Sequence, residues 1–265
     1  MSKIKKSLLV ASIVIIIGVV ITSIYAFLSF RLIRVPTGTM SNTILPGDRL
    51  IIKRHSGPVE RGDIITFLYP GDPSVEYLKR VVGLPGEKIE IRGSNVLIND
   101  KILPEQKVWV QLPTDEKEPL IPDSDRGPTI PSEEDYKNFY SGVPYRKYKT
   151  YYFSQGYDQN GQKPGSPSTS DAQPRPCPFK REALEANPNL IYPTFGVEGQ
   201  PCIIQPGQYF TLGDSRDGSQ DSRFYGTVPQ ENITGKPVLI YLSTARDKSG
   251  NEVPRHERSM TRIDQ

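Results

Sequence analysis

The sequence predicts a mainly β fold behind one N-terminal transmembrane helix. Three observations predict it. Residues 7–30 carry no charge, and 18 of these 24 are apolar or aromatic. The rest of the chain holds many short β-rich runs separated by turn signals. The 265 residues include 25 Pro and 22 Gly, far too many for a helical bundle. A polar average composition excludes a protein with many spans.

The apolar run comes first. At about 1.5 Å per residue a helix of this length covers roughly the 30 Å of a bilayer core. A cleaved secretory leader usually has an apolar region of only about 7–15 residues, so a retained anchor is expected over 7–30. Lys3, Lys5 and Lys6 precede it, with no acid in the first 30 residues. The positive-inside rule then puts residues 1–6 in the cytoplasm and residue 31 onward on the far side. The remaining Lys and Arg balance the Asp and Glu, so the main part is neutral. A nucleic-acid-binding reading loses its support.

Strand-like runs follow at residues 49–54 (RLIIKR), 63–69 (DIITFLY), 77–82 (YLKRVV), 88–91 (KIEI) and 96–98 (VLI). Pro-Gly and Gly-Asp turns punctuate them. Residues 104–206 are rich in Pro, Tyr, Gly, Ser and Lys and read as an inserted subdomain with long loops. Within it, 155–178 reads as a flexible loop. Trp109 is expected either at a lipid interface or in a core. Residues 209–212 and 236–242 resume the core pattern, so the β core is expected over 31–103 and 207–243. Residues 244–265 read as a charged surface tail. Cys177 and Cys202 leave two readings, one disulfide in an exported domain or two buried thiols. Two Cys and two His without HExxH or CxxC argue against a metal site.

The chemistry narrows next. There is no GxSxG elbow and no GK[ST] phosphate loop. With so few His, a nucleophilic enzyme would use a Lys base. Four segments then stand out: residues 35–48 (VPTGTMSNTILPGD), 61–65 (RGDII), 77–86 (YLKRVVGLPG) and 213–223 (GDSRDGSQDSR). In this order and after an anchor they resemble the boxes of bacterial type I signal peptidases. The resemblance runs from the anchor to about residue 243, apart from the middle insertion.

The resemblance implies a signal-peptidase-like β fold and a membrane-bound endopeptidase of the Ser/Lys-dyad type. Such an enzyme removes signal peptides from exported preproteins after small-x-small sites and needs no cofactor. By motif position Lys79 is the base. Thr37 is the oxyanion position, and Ser219 the serine that orients the Lys. Asp214, Arg80, Asp221 and Arg223 are the bracing charges. Pro36, Met40, Ile44, Tyr77 and Leu78 are the pocket for the small residue before the cut. The implied partners are preproteins, the lipid bilayer and the export machinery. The implied place is the inner membrane, single-pass, with the catalytic part outside.

A base near neutral pH needs the Lys pKa lowered by roughly 3 units, which burial in an apolar strand supplies. Strand alternation turns Arg80 to the opposite face from Lys79. One departure matters: the nucleophile position holds Thr39, whose β-methyl restricts χ1. Asn42 also replaces the usual Pro. Ser41, the nearest serine, should share the face of Thr39 by alternation but lie about 6–7 Å further on. Three readings follow: an active peptidase using Thr39, a catalytically impaired paralogue that binds export substrates or partners, or another protease of the fold. An unrelated anchored binding module is what remains outside these three.

Overall fold

The computed structural model describes residues 3–54, 57–111, 121–123, 126–163, 174–177, 195–247 and 249–263. Helix α1 (Lys3–Ser29) contains Ala11–Ser29, a stretch long and apolar enough to cross a membrane. The strand run that follows is β1 (Phe30–Arg34), β2 (Asp48–Lys53), β3 (Ile64–Tyr69), β4 (Asp72–Gly83), β5 (Lys88–Arg92), β6 (Asn95–Ile98) and β7 (Lys101–Ile102). Next come β8 (Gln106–Gln111), β9 (Ile121–Pro122), α2 (Glu133–Tyr140), β10 (Lys149–Phe153), β11 (Arg175–Pro176), β12 (Cys202–Ile203) and β13 (Gln208–Leu212). The chain then adds α3 (Ser222–Tyr225), β14 (Val228–Pro229), β15 (Ile233–Arg246), β16 (Glu252–Pro254) and β17 (Thr261–Arg262). The fold is mainly β, as expected.

The main sheet runs β1-β2-β15-β3-β4-β13-β14, and β16 and β17 also pair with β15. Its β-branched, alternating strands bury one face, as in β2, where Asp48, Leu50 and Ile52 point inward. Two apolar clusters fill the space under it. One joins Val35, Met40, Ile44, Leu50, Ile52, Ile64 and Ile240. The other joins Ile65, Phe67, Val81, Tyr209, Tyr225 and Val228. A second sheet, β11-β12-β5-β6-β7, packs Val82, Ile89, Val96, Ile204 and Phe210 into a third cluster.

The described parts of 104–206 hold a small sheet of their own, β10-β8-β9, and also bond to the rest of the molecule. β8 and β10 pair in parallel, and Tyr151 bridges to Ser215 of the last box. Trp109 packs in a core with Tyr152 and Tyr157, 6% exposed, and the Arg126 guanidinium lies over its ring at 3.9 Å. Of the loop expected over 155–178, residues 164–173 and 178 lie outside the described residues. One expectation needs correction, the boundary of the tail. β15 runs past 243 to Arg246, and β16 and β17 fold back onto it. Ile263 reaches the cluster under Met40 and Ile44. The charged composition hid this, because the tail is held by arginine contacts.

Candidate active site

Lys79 sits in β4 between β3 and β13, opposite Ile65. It is 3% exposed. Its Nζ donates to Thr39 Oγ1 at 2.9 Å and to the Leu78 carbonyl at 3.2 Å, with the Tyr77 ring 5.2 Å away. Burial is the main cause that lowers its pKa, to about 8. The Arg223 charge lowers it further, while Asp221 and Asp214 hold it up. A lysine in this state supplies a neutral amine near neutral pH.

Thr39 is carried by the turns between β1 and β2. Ser41 N bonds to Gly38 O, Ile44 N to Met40 O, and Gly47 N to Val35 O. Strand alternation therefore does not apply in this segment, which corrects the argument that put Ser41 on the face of Thr39, about 6–7 Å further on. Ser41 is buried, and the amine of Lys79 meets the Thr39 hydroxyl. Gly47 closes the segment with φ +90, and a Cβ there would strike the Thr244 carbonyl. Asp48, fully buried, accepts from Leu45 N at 2.9 Å, Ser243 Oγ at 2.5 Å and Arg258 Nη2 at 2.7 Å.

The last box packs against this turn. Ser215 N donates to Thr39 O at 3.2 Å. Gly213 allows the approach, since a Cβ would lie 2.5 Å from Thr39 O and closer still to Ser219 Oγ. Asp214 takes Arg80 Nε and Nη2 in a bidentate pair at 2.8 and 2.7 Å, and Thr43 Oγ1 at 2.6 Å. Asp221 accepts from Gly213 N at 3.0 Å and from Arg223 Nε and Nη2 at 2.7 and 2.8 Å. Burial is the largest single influence on the Asp221 carboxyl and raises it, but the charge and hydrogen bond of Arg223, the Gly213 N–H and the Lys79 charge together hold it below its usual range.

A cleft of about 540 Å³ opens over the pair, and Pro36, Thr37, Met40, Tyr77 and Leu78 line it with Thr39 and Lys79. Ile44 is absent from the lining. It is fully buried in the cluster beneath Met40, because its place one turn on points it into the core. Ser219 is likewise no partner of Lys79 here. Its buried Oγ makes no hydrogen bond, although it neighbours the Thr39 carbonyl across Gly213.

Sequence reasoning missed several supports. Arg216 pairs with Glu105 and bonds to Tyr152 OH at 2.9 Å, all buried. Arg80 lies 4.3 Å from the Tyr148 ring centroid. Arg258 also donates to Thr43 O at 3.0 Å. A signal was present for one of these: Arg255 and Arg258, three apart beyond the last long strand, fit one turn of helix. Among the described residues no cluster of three His, Cys, Asp or Glu suits a metal ion.

The sequence profile described as "Signal peptidase, peptidase S26" matches residues 6–242. The chain is 27% identical to "Signal peptidase I" of Buchnera aphidicola subsp. Schizaphis graminum, over 83% of this chain and 70% of that protein. It is 28% identical to "Signal peptidase I" of Aquifex aeolicus, over 79% and 74%. For the protein of the same name in Rickettsia typhi the values are 29%, 79% and 71%. With the profile covering most of the chain on a mainly β fold, this protein belongs to the signal peptidase family, peptidase S26, and is a peptide hydrolase.

Proposed function

We propose that this chain is a membrane-anchored peptidase that cuts signal peptides from exported preproteins with a Thr39/Lys79 dyad. The 2.9 Å hydrogen bond between a buried, pKa-lowered amine and the Thr39 hydroxyl carries the reading. In this mechanism neutral Lys79 takes the hydroxyl proton as Thr39 Oγ1 attacks the scissile carbonyl carbon. The oxyanion that forms accepts from Thr37. Lys79 then returns its proton to the leaving amine as the C–N bond breaks, which leaves the signal peptide esterified to Thr39. A water that gives its proton to Lys79 attacks the ester, and the Thr39 oxygen leaves with that proton.

The rest of the site holds this pair in place. Arg80–Asp214 and Asp221–Arg223 fix the loop of residues 213–223 against the turn carrying Thr39. Pro36, Met40, Tyr77 and Leu78 form a pocket that accepts a small side chain before the cut, and Ile44 backs Met40 from the core. Ser219 supplies a spare buried hydroxyl that the amine takes up when Thr39 is acylated. α1 spans the inner membrane with residues 1–6 in the cytoplasm, so the cleft faces the exported side.

The test uses the full chain in detergent with a preprotein carrying Ala-x-Ala before its cut. The native chain is expected to cleave, and Thr39→Ala and Lys79→Ala to lose about 10³-fold or more in rate, as for other nucleophile–base pairs. Thr39→Ser is expected to retain cleavage. Cleavage persisting in Thr39→Ala would refute the dyad. An inactive native chain that regains activity as Thr39→Ser would favour the impaired, substrate-binding paralogue.

A further inference from the structure

A second cavity plays no part in the dyad. It measures about 650 Å³, within the range of ligand pockets, and lies between residues 101–107 and the segment 129–139. Its open walls are apolar. Ile102 and Ile130 are 57% and 67% exposed, and Pro131 and Phe139 stand beside them. Lys107 also lines it, although it is only 9% exposed.

The Lys107 amine meets only neutral groups. It donates to Asn95 Oδ1, and Ser94 Oγ lies 3.5 Å away. Both carboxylates of the lining are engaged elsewhere. Glu105 takes Arg216 in a bidentate pair and the Tyr148 hydroxyl at 3.0 Å. Asp135 closes the capping box of α2, accepting from Ser132 N at 2.8 Å and Ser132 Oγ at 2.7 Å. Burial lowers the Lys107 pKa, and the nearby Glu105 charge opposes this only in part. A buried ammonium without an ion pair is costly, and a carboxylate arriving from outside offsets that cost.

The backbone narrows the class of ligand. β7 ends the second sheet and pairs with β6. Leu103 N donates to Val96 O at 2.7 Å, so ladder alternation turns the N–H and C=O of Ile102 away from β6. Such an edge is a template for one more strand. Lys107 N bonds to Thr129 O at 3.1 Å and Thr129 N to Lys107 O at 2.8 Å, which joins the two walls beside the amine. A strand laid along β7 therefore ends at that junction rather than running through. We propose that this cavity captures the C-terminus of an extended apolar peptide, with its backbone added to β7 and its terminal carboxylate on Lys107 Nζ. The site shares no lining residue with the cleft, and the proposal does not depend on the dyad.

The test uses the full chain in a non-ionic detergent and a pool of dye-labelled hexapeptides with Val, Ile or Leu at the last four positions. Binding is read by fluorescence anisotropy. The pool with free C-terminal carboxylates should bind saturably, and the same pool amidated at the C-terminus about 10–100-fold more weakly. Lys107→Met should lose binding by the same factor, and Ile130→Asp by about tenfold or more. Both variants should keep the native near-ultraviolet circular dichroism, which shows that they are folded. A Lys79→Ala chain should bind the pool as the native chain does, so a failure of the dyad reads separately. No saturable binding, equal binding of the two pools, or binding unchanged in Lys107→Met overturns the proposal. So does binding that Lys79→Ala abolishes or that excess preprotein displaces, because the peptide would then lie in the cleft. An amidated pool with one internal Glu that binds as tightly as the free-carboxylate pool overturns the assignment to a chain terminus.

Discussion

Lys79 shows how one residue draws its chemistry from its place. A free lysine stays charged at neutral pH, and burial between β3 and β13 removes that preference, bringing the pKa to about 8. Because the base must be neutral, kcat/KM should rise about tenfold per pH unit below 8 and level off above it. A profile whose acid limb sits near 6 or near 10 would show that another group titrates. The same burial costs stability. The lowered pKa means that the unfolded chain binds more protons than the folded one between about pH 8 and 10.5. Folding stability from this group therefore rises with pH through that window and is at its lowest below it. Lys79→Met should abolish cleavage yet stabilise the fold at pH 7, by an amount on the order of 3 kcal/mol at most, read as a higher denaturation midpoint. An unchanged or lower midpoint would mean that the amine is better solvated than its 3% exposure indicates. The strand around Lys79 was legible in YLKRVV, while its role came only from the resemblance of the motif. The place of Ser41 was not legible, since it depends on turns that alternation does not describe.

The elements divide by how their physics is written. β2, β3, β5, β6 and β13 were legible within a residue or so from alternation and Pro-Gly turns. β1 was hidden because FRLIR follows an apolar helix without punctuation. β8 and β10 were hidden because they are short and lie in a region whose Pro, Tyr and Lys content resembles loops by composition. The C-terminal segment was the largest miss, for its contacts are carried by guanidinium groups. Arg258 ties β2's Asp48 to the carbonyl of Thr43, and Thr43 in turn bonds to Asp214. Arg255 adds a bond to Pro46 O at 3.0 Å. The tail thus closes a loop of contacts around the turn that carries Thr39. Arg258→Ala leaves the buried Asp48 carboxylate with only the longer Arg255 pair at 3.8 Å, a loss of about 3 kcal/mol, while Ser243 and Leu45 N still satisfy part of it. Activity at a temperature where the variant is folded should also fall, in kcat more than KM, because the turn loses its clamp. A variant with lower stability and native kcat would confine Arg258 to stability.

At the scale of the whole molecule, the uneven parts of the sequence join one another. The three lysines ahead of the apolar run account for the net charge of +3, and the remainder is balanced. Much of that balance is spent internally, in pairs such as Arg80–Asp214, Arg216–Glu105 and Arg223–Asp221. Glu105 and Tyr148 come from the region that read as an inserted subdomain with long loops, so the site draws on both parts of the chain. Composition could not show this, because a buried glutamate and a surface glutamate look alike in a sequence. The two cysteines follow the same pattern. The structure joins Cys177 to Cys202 in a disulfide across 25 positions, and Cys202 pairs with Ile89 in the second sheet. A closed loop of that length stabilises by about 3 kcal/mol, chiefly by limiting the unfolded chain. Neither cysteine lines the cleft. Reduction, or Cys177→Ser with Cys202→Ser, should therefore lower the Tm by roughly 10 °C. It should leave kcat and its pH profile unchanged well below the transition. A fall in kcat at low temperature without a change in Tm would show that the bond acts on the site rather than on the stability of the fold.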